Sequence, residues 1–297
     1  MEIRQLEYFV AVADELSFSR GAARVHVVQS AVSTAVSKLE RELGVTLFDR
    51  SKLRITLTAA GITFLAEARA TLDAARRARE SVTGFHGRLS GTVEIGILQS
   101  SGAIDVPAVL GRFHRAHPLV SVRLRQSTAG SAGHLAAVAD GSLELALVTL
   151  PDKRPRGVTM QVLLDEPLVF LCRPDHRLAD REQIAITDLA AETFIRFTTG
   201  WGIRTLADRA FADADLEPVS PYEVGDLATT AGLVRHGLGT TLIPASEAAR
   251  FSDLRAVSLE SPLLWQVLLA TPPPDRMSAA ARAMADALRR TFENVAG

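Results

Sequence analysis

The stretch QSAVSTAVSKLERELGVTLFDR runs from Gln29 to Arg50. Val32, Val36, Leu39 and Leu43 recur three or four positions apart, the spacing of one face of an α-helix. Gln29, Ser30, Ser33, Thr34 and Ser37 fall on the other side. The pattern predicts a helix ending near Leu43, with Gly44 supplying the left-handed turn that stops it. Beyond Gly44 the segment VTLFDRSKLRITLT sets β-branched residues around a polar tip, Asp49 to Arg54. That predicts two short strands forming a small wing.

Upstream, Ile3, Leu6, Phe9, Val10 and Ala13 recur at helical spacing. Ser17 is placed to cap a second helix through about Val25. Gly21 inside it costs about 1 kcal/mol against alanine. Three short helices and a wing describe a winged helix-turn-helix. Its third helix must enter a major groove about 12 Å wide, and small outward side chains permit that approach. Gln29 and the hydroxyls can bond base edges or phosphates. Arg50, Lys52 and Arg54 on the wing would reach phosphates or the minor groove. The residues alone leave a second reading open, a Ser/Thr-decorated surface helix of any small α domain.

Downstream, Ala59 to about His86 lacks proline and is rich in alanine and arginine. Phe64, Ala68, Leu72, Ala75 and Val82 lie along one side of a helix roughly 40 Å long. Such a seam calls for a partner helix, so a dimer contact is expected. Gly84, Gly87 and Gly91 break the helix and mark a hinge. From Thr92 the chain alternates strand and helix. TVEIGI, VSVRLRQ, LELALVTL, PLVFLCRP, GTTLIP and WQVLLAT are strands, and a final helix is expected from about Ser278 to Val295. This predicts an α/β fold with a largely parallel sheet.

The 297 residues suffice for two or three compact units. Up to Gly91 there are 13 Lys and Arg against 10 Asp and Glu, a net of +3; the remaining 20 and 24 give −4. So small an asymmetry does not by itself indicate nucleic acid. Cys172, the one cysteine, excludes an intramolecular disulfide and a cysteine metal site, which fits a reducing cytoplasm. MEIRQLEYFVAVADEL reads as an amphipathic helix rather than a signal peptide, and no apolar run reaches the roughly 18 residues of a membrane span.

Residues 1–61 resemble the DNA-binding region of LysR-type transcriptional regulators. The matching pieces are LEYFVAVADELSFSRGAARVHVVQSAVSTAVSKLERELGVTLFDR and LTAAG at Leu57–Gly61. Three positions depart from the family pattern. Gly21 replaces alanine, Val28 replaces the Ser/Thr cap, and Ser30 replaces proline. Loss of the cap could cost about 1 kcal/mol, unless Ser30 caps a helix starting slightly later. The resemblance makes Gln29 and Ser33 recognition-helix contacts with Ser30, Thr34 and Ser37 beside them, and Arg50 and Arg54 wing contacts.

The second half resembles the family's effector-binding domain, which has the fold of periplasmic solute-binding proteins. IGI, VPAVLGRFHRAHP, GSLELALV, EPLVFLCRPDHRLA and LVRHGLGTTLIP carry this likeness, with Glu144 standing for the usual aspartate. The implied plan is a winged helix-turn-helix over 1–58, a linker and dimerisation helix over 59–90, and an effector-binding domain over 91–297. Two α/β subdomains, about 91–161 with 268–297 and about 162–267, are joined by strands crossing near Met160 and Val267. Ligands of such sheets bind at strand carboxyl ends beside helix N-termini. Gln99, Ser100 and Ser101 follow the first strand; Thr128 follows the second and precedes a helix at His134–Val138. By family analogy Thr198, Thr199, Asp226 and Thr229 face the cleft. Hydroxyls and backbone N–H groups suit a small carboxylate, although each position also fits ordinary helix capping.

The implied partners are double-stranded DNA carrying an inverted repeat, a small-molecule effector, further copies of the chain as homodimer or homotetramer, and RNA polymerase as a candidate. No cofactor and no membrane are expected. His114 and His117 lack a third metal ligand; His176 reads as a structural loop residue. HGLGT at His236–Thr240 reads as a helix-to-strand turn, and no nucleophile elbow surrounds any serine. A second function class is a binding protein or enzyme built on the α/β half, with the first helices serving assembly. Its segment from Thr92 would keep full activity, and the whole chain would show no salt-dependent DNA affinity.

Overall fold

The structure is a computed structural model that describes residues 1–50, 55–83, 89–151 and 154–293. The described chain forms two compact units, one helical up to Thr83 and one α/β from Leu89.

The helical unit begins with α1 (Ile3–Glu15), α2 (Phe18–Arg24) and α3 (Gln29–Leu43). Strands β1 (Phe48–Asp49) and β2 (Thr56–Leu57) pair antiparallel, and α4 (Ala59–Thr83) follows. Ser17 caps α2 by accepting from the Arg20 N–H. Helix α3 starts directly at Gln29: Val28 stands at its N-cap with no side-chain bond, so Ser30 does not cap a later start. Gly44 closes it at φ 70°.

Val32, Val36 and Leu39 are fully buried, whereas Leu43, in the last turn, is 37% exposed and leaves the expected stripe. The core is aromatic. Phe9 lies 5.3 Å from Phe48 and 5.2 Å from Phe64, and Phe18 lies 5.6 Å from Phe48, ring centre to ring centre. Phe64, Ala68 and Leu72 of α4 therefore pack on their own helical unit. For these three residues this corrects the reading of the seam as a dimer contact; Ala75 is half-buried. The opposite face, with Ile62, Ala66, Ala70 and Ala74, is the exposed one. Side-chain packing at Val82, and the expected hinge at Gly84 and Gly87, lie outside the described residues.

The α/β unit runs β3 (Ser90–Gly96), α5 (Val106–Ala116), β4 (Leu119–Arg125), α6 (Gly130–Ala139), β5 (Leu145–Thr149) and the long β6 (Thr159–Cys172). It continues with β7 (Gln183–Ile184), β8 (Thr193–Phe197), α7 (Gly202–Asp213), β9 (Val219–Val224), α8 (Leu227–Arg235), β10 (Thr241–Pro244) and α9 (Ala245–Ala248). Strands β11 (Arg255–Leu259) and β12 (Leu264–Thr271) and helix α10 (Ala279–Glu293) complete it. The main sheet has the order β4-β3-β5-β12-β6-β11-β7, with β10 also on β6.

Only β3, β4 and β5 form the parallel block of the first lobe. Strands β6 and β12 run antiparallel beside each other, so the sheet is mixed rather than largely parallel. The cause is connectivity: β6 carries the chain out of the first lobe and β12 brings it back. Their register shifts between Val267 and Leu268, opposite Leu163. A bulge there bends the shared ribbon where the lobes meet.

Candidate DNA-reading face and effector-binding unit

The residues that made the first 61 positions distinctive hold the wing against α3. Glu40 leaves α3 and accepts the Leu47 N–H (2.8 Å) and the Phe48 N–H (3.2 Å) on one oxygen. Its second oxygen takes Arg50 Nη2 at 3.0 Å. Arg50 also lies over the Phe18 ring, 4.7 Å from its centre. The expected wing contact is thus folded back into a partly exposed ion pair rather than extended. Thr58 Oγ1 donates to the Thr46 carbonyl (2.7 Å) and accepts the Gly61 N–H (3.0 Å), capping α4. A Cβ on Gly61 would stand 2.1 Å from the Leu47 carbonyl oxygen, so the wing approaches α4 through glycine. Arg54 and Lys52 lie outside the described residues.

On α3 the expected contacts form two strips. Gln29, Ser33 and Ser37 follow one another at four-residue spacing; Gln29 is exposed and the two serines are half-buried. Ser30 and Thr34, both exposed, line a groove with Arg4, Gln5 and Tyr8 of α1. Sequence reasoning missed Lys38, which continues this strip and is paired with Glu2 at 3.1 Å. Its four-residue step from Thr34 was the available signal. The N-terminal amine pairs with Glu42 at 2.5 Å and holds that carboxyl below the usual range, tying the chain start to α3.

In the α/β unit the two lobes meet on glycines. A Cβ on Gly130 would lie 2.1 Å from the Gly200 carbonyl oxygen. One on Gly102, at φ +59°, would lie 2.0 Å from Glu166 Oε1. Polar bonds close the same seam. Ser100 Oγ donates to Glu247 Oε1 at 3.0 Å. Glu166 accepts the Ala103 N–H (3.3 Å), the Ser246 N–H (3.0 Å) and the Ser246 hydroxyl (3.0 Å). Within the first lobe, Ser131 of α6 and Thr149 of β5 bond hydroxyl to hydroxyl at 3.0 Å.

Of the sequence-predicted effector residues, Gln99 and Ser100 line a cavity with Trp201 and Trp265 of only about 10 Å³. That is room for one water, not a carboxylate, in this arrangement. Ser100 is already committed to Glu247. Ser101 is half-buried, with its carbonyl accepting the Ile104 N–H; Thr128, Thr198 and Thr199 are exposed. Asp226 caps α8, accepting the Thr229 N–H at 2.7 Å, and this bond holds its carboxyl below the usual range. Asp226 and Thr229 thus satisfy each other.

Sequence reasoning missed a larger cavity, about 910 Å³, between α6, the end of β5, α7 and the start of β12. Its walls come from segments over 130 residues apart, and no local motif marks them.

The remaining candidates are structural. His176 Nε2 sits 3.0 Å from Glu192 and its ring packs on Phe170. Cys172 is fully buried, and burial pushes its thiol up to about 11. Gly237 and Gly239 take positive φ in the turn before β10. Among the described residues no cluster could hold a metal ion, and no helix is long and apolar enough to cross a membrane.

The comparisons agree with this geometry. Residues 3–62 match the bacterial regulatory helix-turn-helix protein, lysR family, and residues 86–293 match the LysR substrate binding domain. The chain is 32% identical over 287 residues to the HTH-type transcriptional regulator YnfL of Escherichia coli K12, covering 95% of this chain and 96% of that one. It is 36% identical over 245 residues to the HTH-type transcriptional regulator ShiR of Corynebacterium glutamicum, covering 82% of each. A full-length OxyR variant from Pseudomonas aeruginosa superposes with a TM-score of 0.76 at 26% identity, over 97% of this chain and 95% of that one. The chain therefore belongs to the LysR family, as a DNA-binding transcription regulator with an effector-binding domain.

Proposed function

We propose that the chain reads an inverted-repeat DNA site as a homodimer or homotetramer in the cytoplasm, regulating transcription rather than catalysing a reaction. A small molecule bound in the α/β unit sets its arrangement on DNA. The observation that carries this reading is the two-faced α3: a fully buried Val32, Val36 and Leu39 spine, with small polar side chains opposite. Gln29 and Ser33 meet base edges, with Ser30, Thr34 and Ser37 beside them, and the wing with Arg50 and Arg54 meets phosphates. Paired recognition helices then lie one DNA turn apart. The exposed face of α4 is the seam between copies, and RNA polymerase is the partner on which bound copies act.

The strand-end loops carrying Gln99, Thr128, Thr198 and Thr199 border the effector. For the effector to regulate, it must bind one arrangement of the copies more tightly than another. A thiol switch does not suit this chain, because its one cysteine is buried with its thiol pushed up to about 11.

The test is enrichment. Sheared genomic DNA from the source is mixed with the purified chain, and bound fragments are sequenced, with Ser33→Ala in parallel. A few fragments sharing an inverted repeat are expected, with Ser33→Ala losing about 1–3 kcal/mol of discrimination. Uniform recovery, with and without added metabolites, would sink the reading.

A further inference from the structure

Helix α3 carries its outer polar residues in two strips, and one strip alone can face base edges. Successive residues of a helix lie about 100° apart. Ser30 and Thr34 therefore stand about a quarter-turn round from Gln29 and Ser33. A helix with its side chains is about 10–12 Å across, and the major groove is about 12 Å wide. With Gln29 and Ser33 turned to the bases, Ser30 and Thr34 are turned to the sugar–phosphate wall of one strand.

That side of α3 is hollowed. A groove of about 430 Å³ lies between α3 and the start of α1. Ser30, Thr34 and Lys38 line it from α3, and Arg4 and Tyr8 from α1. Its two cations differ. Lys38 is paired at 3.1 Å with Glu2, which also lines the groove. Arg4 is exposed, and among the described residues it has no hydrogen-bond or ion-pair partner. The exposed Ser30 and Thr34 hydroxyls have none either. One free guanidinium thus stands across a groove from two free hydroxyls, on the side of α3 that meets a DNA strand.

We propose that this groove seats a phosphate of the DNA strand beside α3. Arg4 pairs with the phosphate from α1, and the Ser30 and Thr34 hydroxyls donate to its oxygens from α3. Guanidinium and phosphate make charge-assisted, directional bonds. Such a contact fixes the register of the recognition helix and carries no sequence information of its own. The inference rests on the DNA-reading assignment of α3 above. It adds a clamp from α1, a helix whose sequence pattern announces only packing, and it turns Ser30 and Thr34 from bases to backbone.

The test measures binding of the full chain to a random-sequence duplex over a range of salt concentrations. Arg4→Gln should flatten the plot of log affinity against log salt by about one. Arg4→Lys, which keeps the charge, should leave the slope as in the wild type. Arg115→Gln, at an exposed position of α5 in the other unit, changes the net charge equally and should also leave it. Thr34→Val should weaken binding about fivefold, the effect of one hydrogen bond, without changing the slope, because a neutral hydroxyl displaces no counterion. In the fragment enrichment, Arg4→Gln should preserve the ranking of recovered fragments.

An unchanged slope in Arg4→Gln would overturn the proposal, as would an equal fall in Arg115→Gln or wild-type affinity in Thr34→Val. A changed ranking would also overturn it, by putting Arg4 on a base edge. An unchanged slope together with lost capture of RNA polymerase on bound DNA would assign the groove to that protein instead. Each of these leaves the DNA-reading assignment standing. That assignment fails separately, and this proposal with it, if the wild-type chain itself shows no salt-dependent affinity for the duplex.

Discussion

Glu40 is the side chain on which the wing depends, and removing it gives the most direct test of that reading. Its carboxylate accepts two amides, from Leu47 and Phe48, whose own side chains are 0% and 3% exposed. It also pairs with Arg50, whose side chain is 40% exposed. The Arg50 pair, open to solvent, adds at most about 1 kcal/mol. The two amides matter more, because an orphaned buried donor costs about 1–3 kcal/mol. Glu40 is itself only 13% exposed, so water reaches the vacated space in part. We expect Glu40→Ala to destabilise the wing by about 3 kcal/mol. Glu40→Gln keeps an acceptor oxygen and should cost about 1 kcal/mol.

Arg50→Ala loses the exposed pair and the contact with Phe18, also about 1 kcal/mol. Hydrogen exchange followed by mass spectrometry on peptides spanning 45–50 reads these directly. Exchange should quicken about 150-fold for Glu40→Ala and about fivefold for the other two. Peptides from β12 in the other unit serve as the internal control. Less than threefold acceleration in Glu40→Ala would refute the assignment of Glu40 as the wing's anchor. Equal acceleration by all three variants would show that the Arg50 pair, not the amides, holds it.

Gly21 is buried, and a Cβ there would stand 3.0 Å from Val12 Cα and N. Gly21→Ala gains about 1 kcal/mol of helix propensity but overpacks the α1–α2 contact by about 1–3 kcal/mol. A net loss of about 1 kcal/mol should lower the thermal midpoint followed by far-ultraviolet circular dichroism, and a raised midpoint would show that the helices part easily. Asp226→Ala should cost about 1 kcal/mol as a lost cap. The Thr229 amide depresses the folded-state pKa of Asp226 below its unfolded value, so this stability is present above about pH 4 and is lost as pH falls through the folded value. The difference between variant and wild type in urea titrations should therefore narrow from pH 5 to pH 3; a constant difference would contradict the capping role. Cys172, buried with its thiol up to about 11, should react with an aromatic disulfide reagent at pH 8 only as fast as the chain opens. One thiol should appear at once in guanidinium, and immediate labelling of the folded chain would refute its burial.

Helix α3, its Gly44 stop, the Ser17 cap and the wing strands were all legible in the sequence, because each rests on residues within a few positions of one another. Periodicity and capping are local physics, and Val32, Val36 and Leu39 advertise a buried face whatever they pack against. The family motif was legible for the same reason, though not its work. Glu40, Arg50, Thr58 and Gly61 stood out as a pattern, and only the folded chain shows that they lock the wing to α3 and α4.

The same limit misassigned the α4 seam. A stripe of Phe64, Ala68 and Leu72 states that one face is covered, and cannot state whether by a second copy or by Phe9 of the same chain. The effector-binding unit depended on tertiary structure most. Glycines at 102 and 130 matter through Glu166 and the Gly200 carbonyl, partners far off in the chain. The large cavity takes its walls from α6, β5, α7 and β12, brought together when β6 and β12 cross between the lobes.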